Sequence, residues 1–130
     1  MTTRYSHAYD TGYEPAMPVI QVVVQDILTG RRSNPMIAIV DSGADGCLAP
    51  ISIFQALNLR PVRRATMRGI SGVGLPVELF LVALEIGSIT IKGVRVIGDR
   101  YNNEFIIGRN VLNQLIVTLN GLAGEVELSE

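Results

Sequence analysis

Short apolar runs, most of them rich in β-branched residues, recur along this chain between clusters of Gly, Pro, Asn, Asp and Ser. That is the pattern of strands joined by tight turns. PVIQVVVQDIL (18–28) predicts a strand, TGRRSNP (29–35) a turn, and MIAIV (36–40) a second strand that is apolar throughout. In PISIFQALNL (50–59) the residues Ile51, Phe54, Leu57 and Leu59 share one helical face, so a short helix is expected. Residues 62–68 predict a strand, GISGVG (69–74) a glycine-rich tip, and LPVELFLVALEIG (75–87) a long strand leaving it, together a hairpin. In SITIKGVRVIG (88–98), Ile89 and Ile91 alternate with Thr90 and Lys92, as in a half-buried strand. EFII (104–107) reads as a strand, Gly108 as a turn and RNVLNQL (109–115) as one or two helical turns. IVTLNG (116–121) and AGEVELS (123–129) close the chain as strands around Gly121. Residues 1–16 have no period and read as a flexible arm or an edge segment, leaving 17–130 as one folded domain.

Composition narrows the function classes. A chain of 130 residues is long enough to bury a core of its own. The 11 basic and 12 acidic residues leave a net charge of −1, which excludes a nucleic-acid-binding surface built on bulk charge. The arginines at 60, 63, 64 and 68 read as a solvated face. No apolar run reaches membrane-spanning length and no signal-peptide pattern opens the chain, so no membrane partner and a cytoplasmic location are expected. The one cysteine, Cys47, has no disulfide mate in its own chain and is expected to pack as a small buried hydrophobe. The one histidine, His7, lies in the leader, so neither a metal site nor a cofactor is expected.

One stretch does not fit a plain strand-and-turn reading. In AIVDSGADGCLAP (38–50) the apolar run ends on Asp41, and Ser42, Gly43, Ala44 and Asp45 follow at once. Asp-Ser-Gly alone is common turn chemistry. Here it is accompanied by the glycine-rich tip 69–74 and by a second strand–glycine–helix unit, FIIGRN, so that 36–58 and 104–115 share one form.

This constellation resembles the retropepsin family of aspartic proteases, the retroviral type and its cellular relatives. IVDSGAD resembles the family's active-site loop, RGISGVG falls where the family carries its flap, and FIIGRNVLNQLIVTLNG resembles its helix and terminal strand. The resemblance covers roughly residues 18–121. It implies an all-β fold, a retropepsin-like closed barrel with one or two short helices, assembled as a two-fold homodimer. It assigns Asp41 as the catalytic carboxylate, supported by Ser42 and Gly43. Substrate contacts fall on Ala44, Asp45 and the flap residues Gly69, Ile70, Ser71, Gly72, Val73 and Gly74. It also implies an ion pair between Asp45 and Arg109 that ties the loop to the helix. Ser42 stands where Thr is commoner, and the chain runs on past TLNG into LAGEVELSE, a strand expected to pair with 115–120 within the same chain.

Peptide hydrolysis by this route needs two carboxyls, one taking a proton from water and one polarising the scissile carbonyl. Two carboxyls held about 3 Å apart share one proton, as aspartic proteases illustrate. The sequence offers one such loop, since Asp26 and Asp99 lack the Ser-Gly that follows Asp41. The second carboxylate is therefore expected from Asp41 of another copy, with an extended peptide or protein as substrate. The alternative is a non-catalytic dimeric module that binds extended peptides in the same groove.

Overall fold

The computed structural model describes residues 3–68 and 72–130. The expected flap residues Gly69, Ile70 and Ser71 lie outside the described residues. Six strands close into a barrel: β2 (Val19–Gln25), β3 (Met36–Val40), β8 (Ile106–Ile107), β4 (Cys47–Pro50), β7 (Ile89–Asp99) and β6 (Gly74–Ile86). Closure is made by β2, which pairs with β3 through Val19–Val22 and then with β6 through Val23–Gln25. β5 (Arg63–Arg68) hangs from β6 as the outer arm of a hairpin, with Arg68 opposite Gly74 at its end. Most pairs are antiparallel, but β3–β8 and β4–β7 run parallel.

Alternation builds the core. Val22 and Val24 of β2, Ala38 and Val40 of β3, and Val82 and Leu84 of β6 all point inward. The break in register between Val82 and Leu84 is a bulge that bends the long β6 around the barrel. The helix α1 (Ile51–Ala56) closes one side by burying Ile53 and Phe54, and Phe54 stacks on Phe80 with ring centroids 4.2 Å apart. It sits close because β7 has Gly98 beneath it, where a Cβ would come within 2.4 Å of Ile51 Cδ1. The second helix, α2 (Arg109–Leu112), is one turn long.

A three-stranded sheet lies beside the barrel in the order β1 (Arg4–Ala8), β10 (Glu125–Ser129), β9 (Ile116–Asn120). β9 and β10 are the expected intrachain hairpin, with Glu125 opposite Asn120 and Ser129 opposite Ile116. Part of the segment read as a flexible arm or an edge segment is β1, paired with β10 from Arg4↔Ser129 to Ala8↔Glu125. Tyr5 fastens it to the barrel: its hydroxyl accepts the Gln21 N–H at 2.8 Å and its ring lies over the turn at Gly87. Among the described residues no helix is long and apolar enough to cross a membrane.

Candidate active site

Asp41 leaves β3 directly after Val40. Along β3, Ala38 and Val40 face the core while Ile37 is 49% exposed, so the period of two puts Ile37, Ile39 and Asp41 on the outward face. A strand that buries every second residue thus delivers a carboxylate to the surface at its end, and Asp41 is half-buried there.

The loop behind it turns tightly. The Ala44 N–H donates to the Asp41 carbonyl at 3.2 Å. The Gly43 N–H donates to Asp41 Oδ1 at 2.9 Å, which fixes the plane of the carboxyl group. A Cβ on Gly43 would sit 3.1 Å from that same oxygen. Glycine therefore lets the backbone approach the carboxylate without crowding it.

The second strand–glycine–helix unit locks this loop from beneath. β3 and β8 run side by side, with Val40 opposite Ile107. Their following residues exchange backbone bonds: the Asp41 N–H donates to the Ile107 carbonyl at 3.0 Å, and the Arg109 N–H donates to the Ala44 carbonyl at 2.8 Å. Gly108 lies at the crossing. A Cβ there would come within 2.2 Å of the Gly46 carbonyl oxygen and 2.9 Å of that of Ala44, so only a glycine fits.

Arg109 departs from the expected ion pair with Asp45. Its Nη1 donates to the Ser42 carbonyl at 2.8 Å, and the ion pairs among the described residues are Arg32–Glu85 and Arg100–Glu78. Asp45 and Arg109 are both exposed, so water solvates the carboxylate and the guanidinium finds a fixed acceptor in the loop backbone. The helix still holds the loop, through a charge-assisted bond to a carbonyl instead of a salt bridge.

A small polar chain continues from there. The Cys47 thiol donates to Asn110 Oδ1 at 3.2 Å, and Asn110 Nδ2 donates to the Arg95 carbonyl at 3.1 Å. Cys47 is fully buried, as expected, and burial pushes its thiol up to about 11, against a weaker pull from the Gly108 N–H. Reading the sequence alone singled out Arg109 but not Asn110 or the Gly46–Gly108 crossing. The only sequence signal for the crossing was a glycine in each of the two similar units.

Of the expected flap residues within the described region, Gly72 has φ 77° and its carbonyl accepts a bond from Arg68 Nη1 at 3.2 Å. Val73 is 63% exposed, and Gly74 opens β6. Ser42 is exposed and Ala44 is half-buried. Among the described residues no group of three or more His, Cys, Asp or Glu side chains gathers in a way that would hold a metal ion.

No family model matches the sequence, and no curated protein matches it either. Solved structures do match. The crystal structure of a retropepsin-like aspartic protease from Rickettsia conorii aligns with a TM-score of 0.69 at 13% identity, over 99% of this chain and 92% of that one. The solution structure of a simian foamy virus protease aligns with a TM-score of 0.53 at 14% identity, over 73% of this chain and 91% of that one. The fold is therefore retropepsin-like, as the resemblance of the three motifs implied.

Proposed function

We propose that this chain is an aspartic endopeptidase, in which Asp41 of two identical copies activates one water for attack on a peptide bond. The observation that carries the reading is the Asp41 carboxyl itself: it is delivered outward by β3, oriented by the Gly43 N–H and backed by the Arg109 clamp on Ser42. A turn or cap would need the Asp but not the crossing at Gly108 or the arginine beneath the loop.

One such carboxyl is half of the machinery. With two Asp41 side chains meeting on a symmetry axis, the pair shares a proton. The ionised member takes a proton from water as that water attacks the carbonyl carbon. The protonated member donates to the carbonyl oxygen, giving a tetrahedral diol, and collapse with proton transfer to the nitrogen releases the two peptides. Ser42 lies on the exposed side of the loop, where its hydroxyl can bond the partner's loop. The hairpin of β5 and β6 is the lid, with Ala44, Asp45, Val73 and Gly74 lining the substrate groove.

The outer edge of β9 is the proposed seam between the copies. It is the free edge of its sheet, and Ile116 and Leu119 on it are 62% and 49% exposed. From Leu112 to Gly124 the chain has no charged residue. Exposed sheet edges are ordinarily guarded by charge, proline or bulges, so an unguarded apolar edge is suited to pairing. Two β9 strands running antiparallel about a two-fold axis would give an isologous contact. β9 follows α2 closely, and α2 carries the clamp on the Asp41 loop.

The reading is tested by incubating wild type and Asp41→Asn with an unfolded protein between about pH 3 and pH 8 and following cleavage. Cleavage by wild type alone is expected. Equal cleavage by both would remove Asp41 from the mechanism. If neither cleaves while the wild type is dimeric, the peptide-binding module replaces the enzyme.

A further inference from the structure

A cavity of about 440 Å³ opens beyond the end of β2, between the turn that follows it and the segment leading from α1 into β5. Its apolar walls are Ile27 and Leu28 of the turn, Leu59 and Val62 of the segment, and Leu81 of β6, with Arg60 at its rim. We propose that this groove docks a peptide segment that presents an aliphatic side chain next to a carboxylate. The proposal stands apart from the proteolytic reading and does not rest on it.

The apolar walls are uncovered. Leu28 is 94% exposed and Val62 57%, although each stands among other apolar side chains. A contiguous apolar surface rimmed by polar residues marks an interaction site. The size lies within the range of ligand pockets. The wall at Leu28 is open to water, however, so an occupant cannot be enclosed. A side chain projecting from a longer chain fits such a half-open groove better than a free small molecule does.

Charge selects what stands beside the anchor. The acid in the cavity wall is already engaged: Asp26 Oδ1 accepts the Leu28 N–H at 3.0 Å and Oδ2 accepts the Thr29 hydroxyl at 2.7 Å. Arg60 is exposed at the rim, with Arg63 and Arg64 exposed just beyond it on β5. None of these three takes part in the ion pairs found among the described residues. Asp26 keeps its charge, but both its oxygens are turned to donors of its own turn, and Arg60, Arg63 and Arg64 outnumber it. The surroundings of the apolar floor are therefore net positive and favour an acidic residue flanking an aliphatic one. The site also borders the root of the β5–β6 hairpin, since the Val62 N–H donates to the Leu79 carbonyl at 2.8 Å and β5 begins at the next residue.

The test is a nuclear magnetic resonance titration of the isotope-labelled full chain carrying Asp41→Asn, so that the probe stays intact. The probe is the peptide Gly-Leu-Leu-Asp-Glu-Gly, compared with Gly-Leu-Leu-Lys-Lys-Gly. Saturable shifts confined to residues 26–29, 58–62 and Leu81 are expected, with the lysine peptide about tenfold weaker. Arg60→Glu and Leu81→Ser, both at exposed positions, should each weaken the acidic peptide about tenfold. No saturable shift, equal affinity for the two peptides, or indifference to Arg60→Glu would overturn the proposal. Shifts centred on residues 41–45 would also overturn it, by moving the peptide to the groove at Asp41. Shifts at 26–29 and 58–62 that depend on protein concentration without peptide would assign the groove to a second copy instead.

Discussion

Gly108 and Cys47 show how narrowly the loop at Asp41 is built. Gly108 has an ordinary extended backbone, so its constraint is space and not conformation. The atoms a Cβ would strike are main-chain atoms of Gly46 and Ala44, which cannot rotate away. Gly108→Ala should therefore destabilise by more than about 2 kcal/mol, read as a lower urea midpoint, and an unchanged midpoint would mean that the crossing yields easily. Cys47 makes the opposite point, because its chemistry is suppressed by its surroundings. With the thiol pushed up to about 11 by burial, the folded chain at about pH 8 should react with an alkylating reagent about a hundredfold more slowly than the unfolded chain. Equal rates would place the sulfur in contact with water.

At the scale of elements, the turn after β2 is the clearest case of local chemistry with a pH signature. The Thr29 hydroxyl, and after it the Leu28 N–H, hold the Asp26 carboxyl below the usual carboxylate value. A carboxyl depressed in the folded state adds stability above its unfolded value and loses it as the pH falls through the folded one. The contribution is present at neutral pH, begins to fall near about pH 4 and is gone only below the folded value. Thr29→Val should lower the urea midpoint at neutrality and leave it nearly unchanged under strong acid. A uniform loss at every pH would mean that the hydroxyl acts by packing alone.

Most elements were legible in the sequence because their apolar periods are long or flanked by glycine: β2, β3, β6, β7 and the β9–β10 hairpin lie where the pattern put them. β4 was not, because Cys47–Pro50 is short and runs directly into the helix, and its partners β7 and β8 are distant in sequence. β1 was legible only as one of two alternatives, a flexible arm or an edge segment, because RYSHA has too few apolar residues to show a period and is held by β10 and the Tyr5 hydroxyl. At the site the sequence singled out Asp41 and Arg109 but not the bond Arg109 makes: its acceptor is the Ser42 carbonyl, and no side-chain pattern reports a carbonyl.

The whole molecule turns on assembly under the proposed mechanism, because one chain carries one Asp41. Leu119→Lys places a charge on the free edge of β9 at a position already 49% exposed, so the barrel itself should fold as before. Sedimentation should show a dimeric wild type and a monomeric variant with an unchanged melting curve, and cleavage should vanish with the dimer. A variant that stays dimeric would place the seam elsewhere.

The double pairing of β2 has a kinetic meaning as well. Its first half joins β3, a close neighbour along the chain, whereas its second half meets β6, where Val23 faces Glu85. Local hairpins such as β2–β3, β5–β6 and β6–β7 close short loops, but the ring is complete only after the slower searches that join remote segments at β2–β6, β3–β8 and β4–β7. Until those seams form, the inner faces of β2 and β6 remain exposed to water and to other chains. The interval before closure is thus when a newly made chain is most vulnerable to aggregation, and a chaperone that shields β2 would act at that step.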